Sequence, residues 1–160
     1  MTPARLIASG FGSGFAPAAP GTAGSLVGLA VGIVCLAMSP WALLAMCLIT
    51  GGGGLLATSA ATGLPLRARG TLDHADPGWV VIDEICGQCC ALLLLPHPSW
   101  SGAVLAFALF RLLDITKPGP IAWLDRQGGA AGIMADDVLA GLIAAVVTKG
   151  LLILYAHLSA

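Results

Sequence analysis

Residues 79–95 read WVVIDEICGQCCALLLL, a run that is apolar except for Asp83, Glu84 and Gln88 near its start. Two adjacent carboxylates stand where a membrane or a packed core penalises charge. On insertion scales, one Asp at mid-helix costs roughly 2.5–3.5 kcal/mol. The run therefore asks two questions: which solvent surrounds it, and what makes the acidic pair tolerable.

Composition answers the first. The chain has 160 residues, 58% hydrophobic and 9% charged. Soluble domains carry about 25% charged residues, so these charges cannot cover a water-facing surface. An all-α integral membrane bundle, a single domain over residues 1–160, is expected. The formal net charge of −1 leaves no basic stripe for phosphate backbones, so nucleic acid is not an expected partner. The start, MTPARLIASGFGSG, has neither the positive beginning nor the apolar stretch of a signal peptide.

Walking outward from residues 79–95 gives four more apolar runs. The first is GTAGSLVGLAVGIVCLAMS, ended by Pro40; the second is Trp41 to Gly63, with glycines at 51–54 that permit close helix approach or local unwinding. After the PHP break at 96–98 come Trp100 to Ile115 and Val138 to Leu158. A spanning helix wants about 20 apolar residues. The expectation is four to five membrane-embedded helices, with runs three and four short, tilted or re-entrant.

The cations orient these runs. Arg5, Arg67, Arg69, Arg111, Lys117 and Arg126 fall on one side if the N-terminus is cytoplasmic, and the loops at Pro40 and 96–102 hold no Lys or Arg. Lys149 is the exception and can snorkel. This topology brings Asp83 and Glu84, Asp114, and Asp136 and Asp137 into one cytoplasmic layer.

Carboxylates so gathered repel each other and take up protons unless a cation is present. All-oxygen ligation suits Mg²⁺, which combines one or two carboxylates with water and phosphate oxygens. Plainer readings stand beside this one. Asp136 or Asp137 can cap the last helix. Asp114 can pair with Arg111 or Lys117 at helical spacing, and Asp83 and Glu84 can be protonated or paired with arginine. Asp125 reads as a solvated loop charge. The five cysteines lie in apolar runs without the second pair that a zinc site needs, so they read as packing. His74, His97 and His157 share no spacing.

A second stretch, GFGSGFAPAAPGTAGS at 10–25, leads glycines and hydroxyls into the first long helix. Unpaired N–H groups at a helix start suit phosphate, and Ser13, Gly21, Thr22 and Ser25 are the candidates there, with Arg111 and Lys117 as cationic partners. The P-loop pattern is absent. Metal, cations and a helix start together can stabilise a phosphoryl group.

Four blocks, GFGSGFAPAAPGTAGS, DPGWVVIDEICG, FRLLDITKPGPIAWLDR and GIMADDVLAG, occur in that order. As a set they resemble phosphatidylglycerophosphatase A, a bacterial inner-membrane lipid phosphatase family. The resemblance implies an all-helical fold and Mg²⁺-dependent hydrolysis of phosphatidylglycerophosphate, a phospholipid held in the bilayer, to phosphatidylglycerol and phosphate. It maps the family's acidic positions onto Asp76, Asp83, Glu84, Asp114, Asp136 and Asp137, and its basic ones onto Arg111 and Lys117. CGQCC replaces a more usual bulky apolar continuation, and QGGAAGIM is a smaller-residue version of the loop before the Asp pair; neither removes a polar position.

Other phosphatase chemistries lack their residues. No cysteine has an arginine six positions later, and no Asp-x-Asp acceptor occurs. Water attack with a carboxylate base remains, as does a covalent aspartyl-phosphate. Which carboxylate is base and which are ligands stays open. A transporter would spread carboxylates towards the midplane, and a structural subunit would leave PGTAGS and FRLLDITKP without a role. The sequence does not reveal an oligomeric state.

Overall fold

In the computed structural model the protein is an all-helical membrane bundle, described over residues 1–67 and 77–159. A short helix α1 (Pro3–Ala8) and a 3-10 turn (Ser13–Phe15) precede two long helices, α2 (Pro20–Met38) and α3 (Pro40–Thr62). Then come α4 (Ile82–Ala91), α5 (Trp100–Thr116), the short α6 (Pro120–Asp125) and the longest helix, α7 (Gly129–Leu158).

By length and composition, α2, α3 and α7 can cross a membrane. No more than 33% of the apolar window of each is buried inside the protein. Their outward side chains, among them Val34, Leu48, Ile49, Val146 and Ile153, face what the composition demands, an apolar solvent. The remaining expected runs differ in length. The third run, expected over 79–95, forms a helix of only 10 residues. At 1.5 Å per residue that is about 15 Å, half of a hydrocarbon core of about 30 Å. It does not span. Leu92 to Leu95 close it with turn hydrogen bonds to Cys89, Cys90 and Leu92 carbonyls, and Pro96 and Pro98 forbid continuation. The glycines at 51–54 do not unwind α3, which runs through them unbroken.

Lipid does not drive helices together hydrophobically, so the bundle relies on small residues and close packing. Gly24, Gly28 and Gly32 form one stripe on α2 against α4. A methyl group at Gly28 would lie 2.7 Å from the Ile85 carbonyl oxygen, and one at Gly32 2.6 Å from Leu92. On the other side, a Cβ at Gly141 of α7 would meet the Gly87 carbonyl oxygen at 2.1 Å. Backbone touches backbone on both flanks of α4. The half-length helix is thereby the buried centre of the molecule, with Cys86, Cys89 and Leu92 at 1% exposure or less.

The last helix starts earlier than its apolar run. Expected from Val138, it begins at Gly129, because the N–H groups of Ala130 and Ala131 are taken by the carbonyls of Pro65 and Leu66. A loop supplies what a side-chain cap would have supplied. Asp136 and Asp137 therefore lie about two turns inside α7, and neither caps it.

Candidate metal and phosphate site

The site is assembled at the start of α4. Val81 donates its N–H to the carbonyl of Ala8, and Trp79 stacks on Phe15 with the Arg5 guanidinium over both rings. The N-terminal segment thus fixes where α4 begins. Asp83 and Glu84 occupy its first turn, where the helix dipole favours negative charge. Asp83 also accepts the Glu84 N–H at 3.0 Å.

Asp137 joins them from α7. Without side chains at Gly87 and Gly141 the two helices approach until a Cβ on Gly87 would lie 2.7 Å from the Asp137 carbonyl oxygen. One carboxylate oxygen each from Asp83, Glu84 and Asp137 then lies within 4.8 Å of the others. Asp83 and Asp137 are about 95% buried. Three hard oxygen donors converging in a nearly dry site match the donor set of Mg²⁺. One Glu84 oxygen, Oε2, is buried with no hydrogen-bond partner among the described residues.

The phosphate kit borders this trio. A Cβ on Gly21 would stand 2.3 Å from Glu84 Oε1 and 3.5 Å from an Arg111 terminal nitrogen, so only glycine lets the start of α2 lie against both. Arg111 donates to the Ser25 hydroxyl at 3.2 Å and to Asp114 at 2.5 Å. Ser25 in turn donates to the Gly21 carbonyl at 2.8 Å. Asp114 is near enough to Asp137 and Glu84 to act on both electrostatically. The plain pairing of Asp114 with Arg111 and its place beside the acidic trio are therefore both real. Thr22 lies in the first turn of α2, half-buried. With Pro20 at the first position and no side-chain cap, the Gly21 and Thr22 N–H groups are among the orphan donors that a helix start presents.

The other expected residues lie apart. Asp136, 3% exposed, immediately precedes Asp137 in the chain and points elsewhere, since successive helical side chains diverge by about 100°. It pairs with Lys117 at 2.7 Å. Lys117 ends α5 in the left-handed region, φ 43°, and the KPGP turn swings it back over α7. It also holds Asp125, so Asp125, read as a solvated loop charge, is exposed as expected and is an ion-pair partner as well. Burial works to lower the Lys117 pKa, but the hydrogen bonds and charges of Asp125 and Asp136 outweigh it and raise the pKa above the ordinary 10.5. Ser13 turns its hydroxyl to the Gly10 and Ser9 carbonyls at 2.9 and 3.4 Å. Asp76 lies outside the described residues.

Two features went unread in the sequence. The Asp125–Lys117 pair crosses a proline turn and leaves no periodic signal. Gln88, fully buried with neither amide atom partnered among the described residues, sits one turn beyond Glu84. A polar residue at i+4 from an acidic motif position was the available sign. The cysteines are free and buried, with thiols towards the Cys47 and Gly28 carbonyls.

Comparison with known proteins supplies what geometry alone does not. A protein of Escherichia coli (strain K12) named phosphatidylglycerophosphatase A is 38% identical over 146 residues, covering 89% of this chain and 80% of that protein. One of the same name from Haemophilus influenzae is 38% identical over 152 residues, covering 92% and 87%. A Bacteroides thetaiotaomicron protein, named provisionally as a phosphatidylinositol-3-phosphatase, is 39% identical over 147 residues, 86% of each chain. No solved structure matches. The profile of one family covers residues 6–152, and every element that builds the site lies within or across that span. The chain belongs to the phosphatidylglycerophosphatase A family.

Proposed function

We propose that this protein is a Mg²⁺-dependent phosphatase. It removes the terminal phosphate of phosphatidylglycerophosphate at the cytoplasmic face of a bacterial inner membrane. The observation that carries the proposal is the convergence of Asp83, Glu84 and Asp137 within 4.8 Å beside the Arg111–Ser25 contact and the start of α2. Membership of the family supports the substrate.

Asp83, Glu84 and Asp137 would hold the ion, with Asp114 adjacent. Bound Mg²⁺ would supply Lewis-acid polarisation of the phosphoryl oxygens and neutralise their charge. The chain's own groups do the rest. Arg111 and the Gly21 and Thr22 N–H groups orient the phosphate and offset the charge that develops on it. A carboxylate of the cluster takes the proton of the attacking water, or attacks phosphorus itself. Lys117, tied to Asp136 and Asp125, anchors the α5–α7 turn beside the site and stays cationic throughout the neutral range. The acyl chains stay in the leaflet, so the headgroup reaches carboxylates only near an interface. Six of the seven Lys and Arg residues lie in segments at one end of the predicted topology, which supports the cytoplasmic side.

Phosphate release from phosphatidylglycerophosphate by the purified protein in detergent, with Mg²⁺ and with EDTA, tests this directly. Turnover that EDTA abolishes and Mg²⁺ restores is expected. Undiminished turnover without metal rejects the metal assignment, and no turnover under any condition rejects the substrate.

A further inference from the structure

Glu84 Oε2, both amide atoms of Gln88 and Nε of Arg111 are buried without hydrogen-bond partners among the described residues. The set is matched in kind. Gln88 Nε2 and Arg111 Nε are donors, and Glu84 Oε2 and Gln88 Oε1 are acceptors. It is also matched in place. Glu84 and Gln88 are four apart on α4 and share one face, with about 5–6 Å between their Cβ atoms. Helical side chains lean over the preceding turn, which carries the Gln88 amide towards Glu84. The α5 helix arrives at the same level, since a Cβ on Gly87 would meet the Phe110 ring at 2.6 Å, and Arg111 follows Phe110. Glu84 Oε1 and the Arg111 terminal nitrogen already flank Gly21.

We infer that Gln88 is a positioning residue. Its amide lies where a side-chain rotation brings it between Arg111 and Glu84, to accept from Arg111 Nε and donate to Glu84 Oε2, bonds the side chains do not make as they stand. The bridge leaves Oε1 of Glu84 as the oxygen presented to the metal and ties the phosphate-binding guanidinium to the same carboxylate. An amide with no such duty would be a poor occupant of this position, because an unpaired buried polar atom gives up its hydration with nothing in return. The inference rests on the proposed Mg²⁺ reading of the carboxylate trio. Groups that orient a ligand in this way typically change metal affinity about 10–100-fold when removed.

Gln88→Met keeps the volume and removes the amide. The test measures two quantities on purified protein in detergent: thermal unfolding across a Mg²⁺ titration, and the Mg²⁺ concentration for half-maximal phosphate release. Metal-free Gln88→Met should unfold no earlier than the wild type. It should need at least about tenfold more Mg²⁺ both for thermal stabilisation and for half-activation. Gln88→Asn, which keeps the amide on a shorter stem, should fall between the two and serves if the methionine variant folds poorly. An unchanged Mg²⁺ midpoint in a folded Gln88→Met protein overturns the inference. So does early unfolding of that variant with a wild-type metal response, which would make the amide a packing element. Absence of any Mg²⁺ response in the wild type instead rejects the metal reading beneath it.

Discussion

The two ends of α4 are both buried and both lie against glycine stripes, yet they hold opposite chemistry. At the start, Asp83 and Glu84 meet Asp137 of α7, Asp114 and Arg111 of α5, and the opening turn of α2. Towards the end, Cys86, Cys89 and Cys90 meet carbonyl oxygens and small side chains from α2, α3 and α7. The first end leaves buried polar atoms without partners among the described residues; the thiols at the second fill space and ask for little. Equal burial therefore does not mean equal purpose. The difference is that carboxylates and a guanidinium must be compensated in a dry site, whereas thiols need not be.

The widest gap between the two ends should appear in catalysis. Asp83→Asn or Asp137→Asn should lower kcat by about a thousandfold or more, the scale of losing an essential general acid–base or metal group. The metal-free variants should unfold no earlier than the wild type, because each removes a repelling buried charge. Near-normal kcat in either, measured by phosphate release under saturating Mg²⁺, would dissolve the contrast.

Arg111→Ala should come next, lowering kcat/KM by about 10²–10³ as the loss of one preorganised donor does. Arg111→Lys should restore little, since an ammonium lacks the planar two-nitrogen edge that matches a phosphate. Full rescue by lysine would reduce Arg111 to a general positive charge.

Lys117→Ala should cost about tenfold, acting through the turn it pins to Asp136. Its raised pKa also fixes a pH behaviour. The stability from its ion pairs is complete below about 10.5, the ordinary lysine value, and is lost only as pH rises towards the higher folded pKa. Thermal unfolding of wild type and Lys117→Ala should thus differ by a constant amount between about pH 8 and 9.5, where the partner carboxylates are ionised as well. A gap that closes within that window would place the lysine's titration elsewhere.

The smallest effect belongs to the other end of α4. Changing Cys86, Cys89 and Cys90 together to Ala should leave kcat/KM within about twofold. Loss of activity in a folded triple variant would give the thiols a role in the chemistry.

Much of this contrast could be read from residue order. Pro40 and the PHP break delimit α2, α3 and α5 within a residue or two, because proline stops helices by geometry rather than by context. The acidic clusters were placed in one layer by counting positive loops. What sequence concealed were the decisions made in three dimensions. The ten-residue extent of α4 follows from a turn at Leu92–Leu95 whose apolar sequence would suit a helix equally well. The early start of α7 depends on the Pro65 and Leu66 carbonyls of a distant loop, which accept the N–H groups of Ala130 and Ala131 in a glycine-rich segment of poor intrinsic helicity. Adjacent Asp136 and Asp137 had to diverge, but only the packing of Gly87 on Gly141 determines that Asp137 faces Asp83 and Glu84 and Asp136 faces Lys117.

The most direct test of the shared site is Mn²⁺ binding, followed by electron paramagnetic resonance on purified protein in detergent, with Mg²⁺ as competitor. Asp83 and Asp137 come from helices 54 residues apart in sequence, and the account makes them ligands of one ion. Wild-type protein should bind Mn²⁺ in a form that Mg²⁺ displaces, and Asp83→Asn and Asp137→Asn should each weaken that binding by at least about tenfold. Wild-type Mn²⁺ affinity in Asp137→Asn, alongside loss in Asp83→Asn, would contradict the claim that α4 and α7 meet at one metal.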